Sequence, residues 1–136
     1  MSLQILRPVT VKARVTEDLK ARLAAQYREA LRLLDEEMKQ IESQARQAQL
    51  AAAISPQQQM QLRQLVEMER AKREEQKAQL QRELEAVSRL PLGSEIVQDT
   101  IQSVVTLSVG DDFEKVMKAE IVVEDGKVIA IREGEG

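Results

Sequence analysis

The sequence predicts an α+β fold. The expected form is a small antiparallel β-sheet or partly closed barrel, with a long antiparallel coiled-coil helical hairpin inserted after the first strand. Three features predict it. Apolar residues alternate with a period of two at both ends of the chain. Between them lie two long stretches without Gly or Pro, each built from helix formers. A single Ser-Pro punctuates those stretches near the middle, at Ser55-Pro56. The expected division is 1–15 with 91–136 as the β part and 16–90 as the hairpin.

The first strand is read from Leu3, Ile5, Arg7, Val9, Val11, Ala13 and Val15, which occupy alternate positions. Pro8 cannot donate to a ladder, so it predicts an edge or a bend. At Thr16 the period changes. Thr16 is a good N-cap, and Glu17 and Asp18 place acids in the first turn. A stripe then runs through Leu23, Tyr27, Ala30, Leu34, Met38, Ile41, Ala45, Ala48 and Ala52. Its steps alternate between three and four, with one extra four at Leu34–Met38, as in a coiled-coil seam with a stutter.

Ser55, Pro56 and Gln58 form a capping box with Pro at the first helical position. Two helices of about 55 and 52 Å joined so tightly fold back on each other. Leu62, Leu65 and Val66 mark the start of the second seam, and Leu80, Leu84 and Val87 its end. The stretch between is mostly charged. Met38, Ile41 and the alkyl stems of Lys and Arg are expected to hold it.

Leu90–Ile96, "LPLGSEI", reads as the joint back to the sheet. Pro91 stops the helix and Gly93 accepts positive φ without strain. After it, Ile101, Ser103, Val105, Leu107 and Val109 restore the period of two. Asp111 or Asp112 caps a short helix. Ile121–Glu124 and Lys127–Arg132 flank Asp125-Gly126, a strong hairpin signal.

Charge follows the same division. Residues 1–15 carry +3, residues 16–90 are neutral, and residues 91–136 carry −6, for a net −3. Pairing the basic first strand with the acidic C-terminal strands explains that split. No sizeable net-basic domain is present, which argues against a dedicated nucleic-acid binder. There is no Cys and no His, so thiolate chemistry and the commonest general base are excluded. No apolar run is long enough to span a membrane, and the first residues lack a signal-peptide core. A cytoplasmic protein is expected.

The two ends, "ILRPVTVKARVTE" and "AEIVVEDGKVIAIRE", together with "LPLGSEI", resemble the YlqD family. The resemblance covers nearly the whole chain in order and length. It implies a bacterial cytoplasmic protein of uncharacterised function with no assigned catalytic residues. It also implies a link to translation or ribosome maturation.

Candidate chemistry is sparse. Asp111, Asp112 and Glu114 lack the spacing of an EF-hand loop and read as a helix cap. Glu36-Glu37 and Glu74-Glu75 sit among Lys and Arg, as on a solvated helix face. No catalytic, cofactor or metal residue is assigned. Arg63, Arg70, Arg73 and Lys77 recur along the second helix as a candidate phosphate-facing stripe, weakened by interleaved Glu. Leu50, Ile54 and Met60 mark an uncharged hairpin tip, the best candidate for partner contact. The expected function is a non-enzymatic interaction or scaffold protein with a protein partner. A ribosome- or RNA-associated factor is the alternative. A second copy pairing through the helical hairpin is the expected route to a homo-oligomer.

Overall fold

A computed structural model describes residues 1–51 and 55–134. The order of elements is β1 (Ser2–Arg14), α1 (Glu17–Ala51), α2 (Pro56–Ser88), β2 (Glu95–Ser108), α3 (Phe113–Met117), β3 (Ala119–Glu124) and β4 (Lys127–Glu133). Two compact units result. One comprises Met1–Lys20 and Leu90–Gly136, the other Ala21–Arg89. The α+β class and the long helical hairpin after the first strand are both present.

The sheet is open and mixed, in the order β2-β1-β3-β4. The sequence predicts an antiparallel sheet or a partly closed barrel. The structure corrects this: β1 and β3 run parallel over Thr10–Ala13 and Glu120–Val123. The reason is topological. β2 returns antiparallel along β1 and ends with Ser108 beside Ser2. The next strand starts from that end, on the other side of β1, and therefore runs in the same direction as β1. No ladder closes β4 onto β2 among the described residues.

Pro8 fits this arrangement. It sits opposite Gln102, and β3 joins β1 only from Thr10 onward. Its missing N–H therefore costs no ladder bond on the β3 side. Gln98 is the extra residue where the β1–β2 register shifts, between Val11–Asp99 and Lys12–Val97. At Asp125-Gly126 both residues have positive φ, 47° and 84°, as a two-residue turn of the primed type requires.

The buried centre of the sheet unit is small and mostly β-branched: Val9, Ala13, Val15, Leu19 and Val122. With only two aromatics in the chain, many small aliphatics do the work that a few rings would do elsewhere. Thr16 starts α1 as expected, accepting the Leu19 N–H at 3.1 Å. Its hydroxyl also donates to Asp125 Oδ1 at 2.7 Å, tying the helix start to the β3–β4 turn. At α2 both halves of the Ser55–Gln58 capping box form, with Pro56 in the first turn.

In the hairpin unit the α1 stripe is half-buried from Leu23 through Tyr27, Ala30, Leu34, Met38 and Ile41 to Ala45, and exposed at Ala48. Ala52 lies outside the described residues. On α2 the half-buried line is Leu62, Val66, Glu69, Arg73, Lys77, Leu80 and Leu84, ending at buried Val87. Its steps of three and four run unbroken through the charged middle. Glu69, Arg73 and Lys77 take inward positions, and their stems supply the packing. Leu65 was expected inside this line and is instead exposed. Val66 takes the inward position, because a step of four from Leu62 keeps to the line and a step of three leaves it.

Candidate functional site

The hairpin tip presents large apolar side chains to solvent. Leu50 is 87% exposed and Met60 62%. Ile54, the third candidate there, lies outside the described residues. Leu65 and Met68 on α2 are exposed as well. No charged residue falls between Arg46 and Arg63, so this end of the hairpin is apolar and uncharged.

The candidate phosphate stripe divides. Arg70 pairs with Glu42 at 2.7 Å across the hairpin. Arg73 pairs with Glu37 at 3.2 Å and also with Glu69 on its own helix. Lys77 pairs with Asp35 at 3.3 Å. These cations are matched by carboxylates of α1, and they record the antiparallel register of the two helices. Arg63 flanks a shallow cleft with Glu42, Arg46 and Glu67. The interleaved Glu is the signal in the sequence that the stripe is locally neutralised. Between the helices a second open groove is lined by Ala30, Leu33, Leu34 and Leu80, with Glu37 and Lys72 at its margin.

Asp112 is the N-cap of α3, and Asp111 instead binds back to the end of β2. Asp111 Oδ2 accepts the Ser108 N–H at 2.7 Å, and Asp112 Oδ1 accepts that of Lys115 at 3.3 Å. In "LPLGSEI" several polar groups meet partners within the chain. Leu90 O accepts from Lys20 Nζ at 3.0 Å. Gly93 N–H donates to Val15 O at 2.9 Å, and Val15 N–H to Ser94 O at 2.8 Å. Ser94 Oγ donates to Pro91 O at 2.7 Å.

Two arginines organise the sheet unit, and neither stands out in the sequence as a site. Arg7 is 8% exposed. Its guanidinium donates to Ser103 Oγ at 3.3 Å and to the Val116 carbonyl at 2.6 Å, and it pairs with Glu133 at 3.3 Å. The available signal was an arginine on the inward period between Ile5 and Val9. Arg132 grips Glu95 with two hydrogen bonds, of 2.9 and 3.0 Å, and Glu120 with one of 2.9 Å. Lys12 adds a 2.8 Å contact to Glu120. A side chain on β4 thus ties both edge strands of an open sheet. The expected pairing of basic β1 with acidic β3 and β4 is realised in Lys12–Glu120 and Arg7–Glu133.

Hydrogen bonding to Arg132 holds the Glu95 carboxyl below its ordinary value of 4.5. Lys12, then Arg132, does the same to Glu120. Both groups are ionised more readily in the folded chain than in the unfolded one. Their contribution to stability is complete above the ordinary carboxylate range and is lost as pH falls through the depressed values. Arg132→Gln is expected to flatten the loss of Tm between about pH 5 and pH 2. Parallel Tm-against-pH curves for the variant and the parent would refute this.

Among the described residues no helix is long and apolar enough to cross a membrane. The arrangement defines a class: an α+β protein in which a helical hairpin separates the first two strands of an open, mixed four-stranded sheet. A family model described as YlqD protein matches residues 3–132, and the chain belongs to the YlqD family. It is 32% identical over 132 residues to the uncharacterized protein YlqD of Bacillus subtilis (strain 168), covering 96% of this chain and 99% of that protein. It is also similar to a crystal structure of a protein of unknown function from Synechococcus sp. WH 8102. That match has a TM-score of 0.83 and 28% identity, and covers 98% of each chain.

Proposed function

We propose that the chain is a non-enzymatic interaction protein of the bacterial cytoplasm, and that the hairpin tip contacts a protein partner through an uncharged, apolar groove on that partner. The observation that carries this reading is the exposure of Leu50 and Met60 at the end of two helices of 35 and 33 residues. Apolar side chains held in water at such a site are typical of a surface that is covered in a complex. The tip offers no cation to a phosphate and no carboxylate to a metal. The cations at Arg70, Arg73 and Lys77 are paired with α1 carboxylates, so an RNA backbone would have to displace ion pairs already made.

The test is quantitative crosslinking with the full chain and a Leu50→Glu/Met60→Glu variant. Both positions are exposed, so the variant is expected to keep its fold and melting temperature. Loss of a protein partner by at least tenfold in the variant supports the reading. The same partners recovered with both proteins overturns it. So does a retained species that is RNA and whose capture falls steeply with added salt, which would favour the ribosome- or RNA-associated alternative.

A further inference from the structure

β2 is an edge strand of 14 residues. In an antiparallel pair, residues alternate between exchanging hydrogen bonds with the neighbour and pointing their N–H and C=O away from it. Val109 N–H donates to Met1 O at 3.4 Å, continuing the register that pairs Ser108 with Ser2. Odd-numbered residues at this end of β2 therefore turn to β1. Thr100, Gln102, Val104, Thr106 and Ser108 turn their backbone groups to the open edge.

The outermost two of these five donors are occupied within the chain. Thr100 N–H donates to Asp99 Oδ1 and Ser108 N–H to Asp111 Oδ2, each at 2.7 Å. The N–H groups of Gln102, Val104 and Thr106 lie between them on the open edge. Residues 100–108 contain no charge, no Pro and no Gly. Ile101 is 43% exposed and Val104 63%. Soluble proteins usually guard an edge with Lys, Pro or a bulge. The other edge of this sheet, β4, is 7 residues long and carries Lys127, Arg132 and Glu133. The β2 register shift and Asp99 lie outside the uncharged segment. A long, neutral, partly apolar edge calls for another strand.

We propose that residues 100–108 of β2 pair antiparallel with the same segment of a second copy of this chain, across a twofold axis at Val104. The second copy is the occupant because the segment is its own complement about that residue. Val104 meets Val104, Gln102 meets Thr106, Ile101 meets Leu107 and Ser103 meets Val105. Like charges do not meet, since Asp99 falls opposite Val109, beyond the ladder. The three open positions per chain supply all of the backbone bonds. The ladder stops where the Thr100 and Ser108 donors are already taken. An uncharged edge offers nothing to select a charged peptide instead. One strand pair is a small contact, so association depends on concentration. It uses no residue of the hairpin tip, and it stands or falls independently of the function proposed above.

The test is sedimentation equilibrium of the full chain against Val104→Lys. The parent's mass is expected to rise with concentration from 15.4 kDa toward twice that value. The variant is expected to stay at 15.4 kDa over the same range. Val104 is exposed in the single chain and its N–H points away from β1, so the variant's circular dichroism and Tm should match the parent's. In the pair, two ammonium groups would meet at the axis. Amide exchange gives a second readout on the unmodified chain. The N–H groups of Gln102, Val104 and Thr106 should become protected as concentration rises, while that of Val105, directed at β1, does not change. A parent that stays monomeric throughout overturns the proposal. So does a variant that dimerises as the parent does, which would place the contact between copies elsewhere, the helical hairpin included.

Discussion

Arg7→Ala is expected to destabilise the protein by about 3 kcal/mol, the sum of a lost charged hydrogen bond, two weaker polar contacts and the packing of the stem. In a chain of this size that lowers Tm by roughly 10 °C. The reason lies in where the guanidinium sits. It is almost fully buried, and it donates at once to β2 at Ser103, to the last turn of α3 at Val116 and to the end of β4 at Glu133. Removing it leaves the Val116 carbonyl without its 2.6 Å donor. Arg7→Lys keeps the charge but not the fork, and should recover less than half of the loss. Scanning calorimetry of the three proteins is the measurement. A variant melting within about 2 °C of the parent would show that the cluster is ornamental to the sheet.

Gly93→Val is expected to cost about 2 kcal/mol, nearly all of it torsional. Gly93 has φ +84°, and a Cβ built there meets nothing within 4 Å. Crowding is therefore not the cause. A β-branched residue is simply poor in the left-handed region that this joint requires. The N–H of Gly93 must stay aimed at Val15 O to extend the β1–β2 pairing beyond the strand ends. The expected order of stability is Gly, then Asn, then Ala, then Val, because Asn tolerates left-handed geometry better than other side chains. Urea midpoints test the order. Equal midpoints for Ala, Asn and Val would sink the torsional account. Ser94 and Glu95 beside it are bonded to Pro91 and Arg132, so the stretch works as a joint held by the chain's own groups.

Much of the fold is legible in the sequence wherever the cause is local. Ser55-Pro56 with Gln58, Thr16 before two acids, Asp112 before α3 and Asp125-Gly126 each act within four residues. Each forms where it was read. The split of charge between the ends of the chain anticipates Lys12–Glu120 and Arg7–Glu133. The α2 seam was legible only at its two ends. Glu69, Arg73 and Lys77 occupy inward positions that a search for apolar residues passes over, because long stems can pack while their heads reach solvent or a carboxylate. Leu65 errs the other way: it is apolar and yet faces out. At the tip, Leu50 and Met60 are exposed, which no periodicity could have foretold.

Local patterns in the chain dictate the α+β class, the helical hairpin between the first two strands, the joint at Gly93 and the caps, because periods, turn chemistry and capping are short-range. Long-range assembly sets β3 parallel to β1 and leaves β2 as a neutral open edge. It alone decided that Arg7 is buried and that Arg132 spans to Glu95. Those facts depend on which strands become neighbours. That choice is set by where β2 ends relative to β1, a relation between residues about a hundred positions apart that no local pattern encodes.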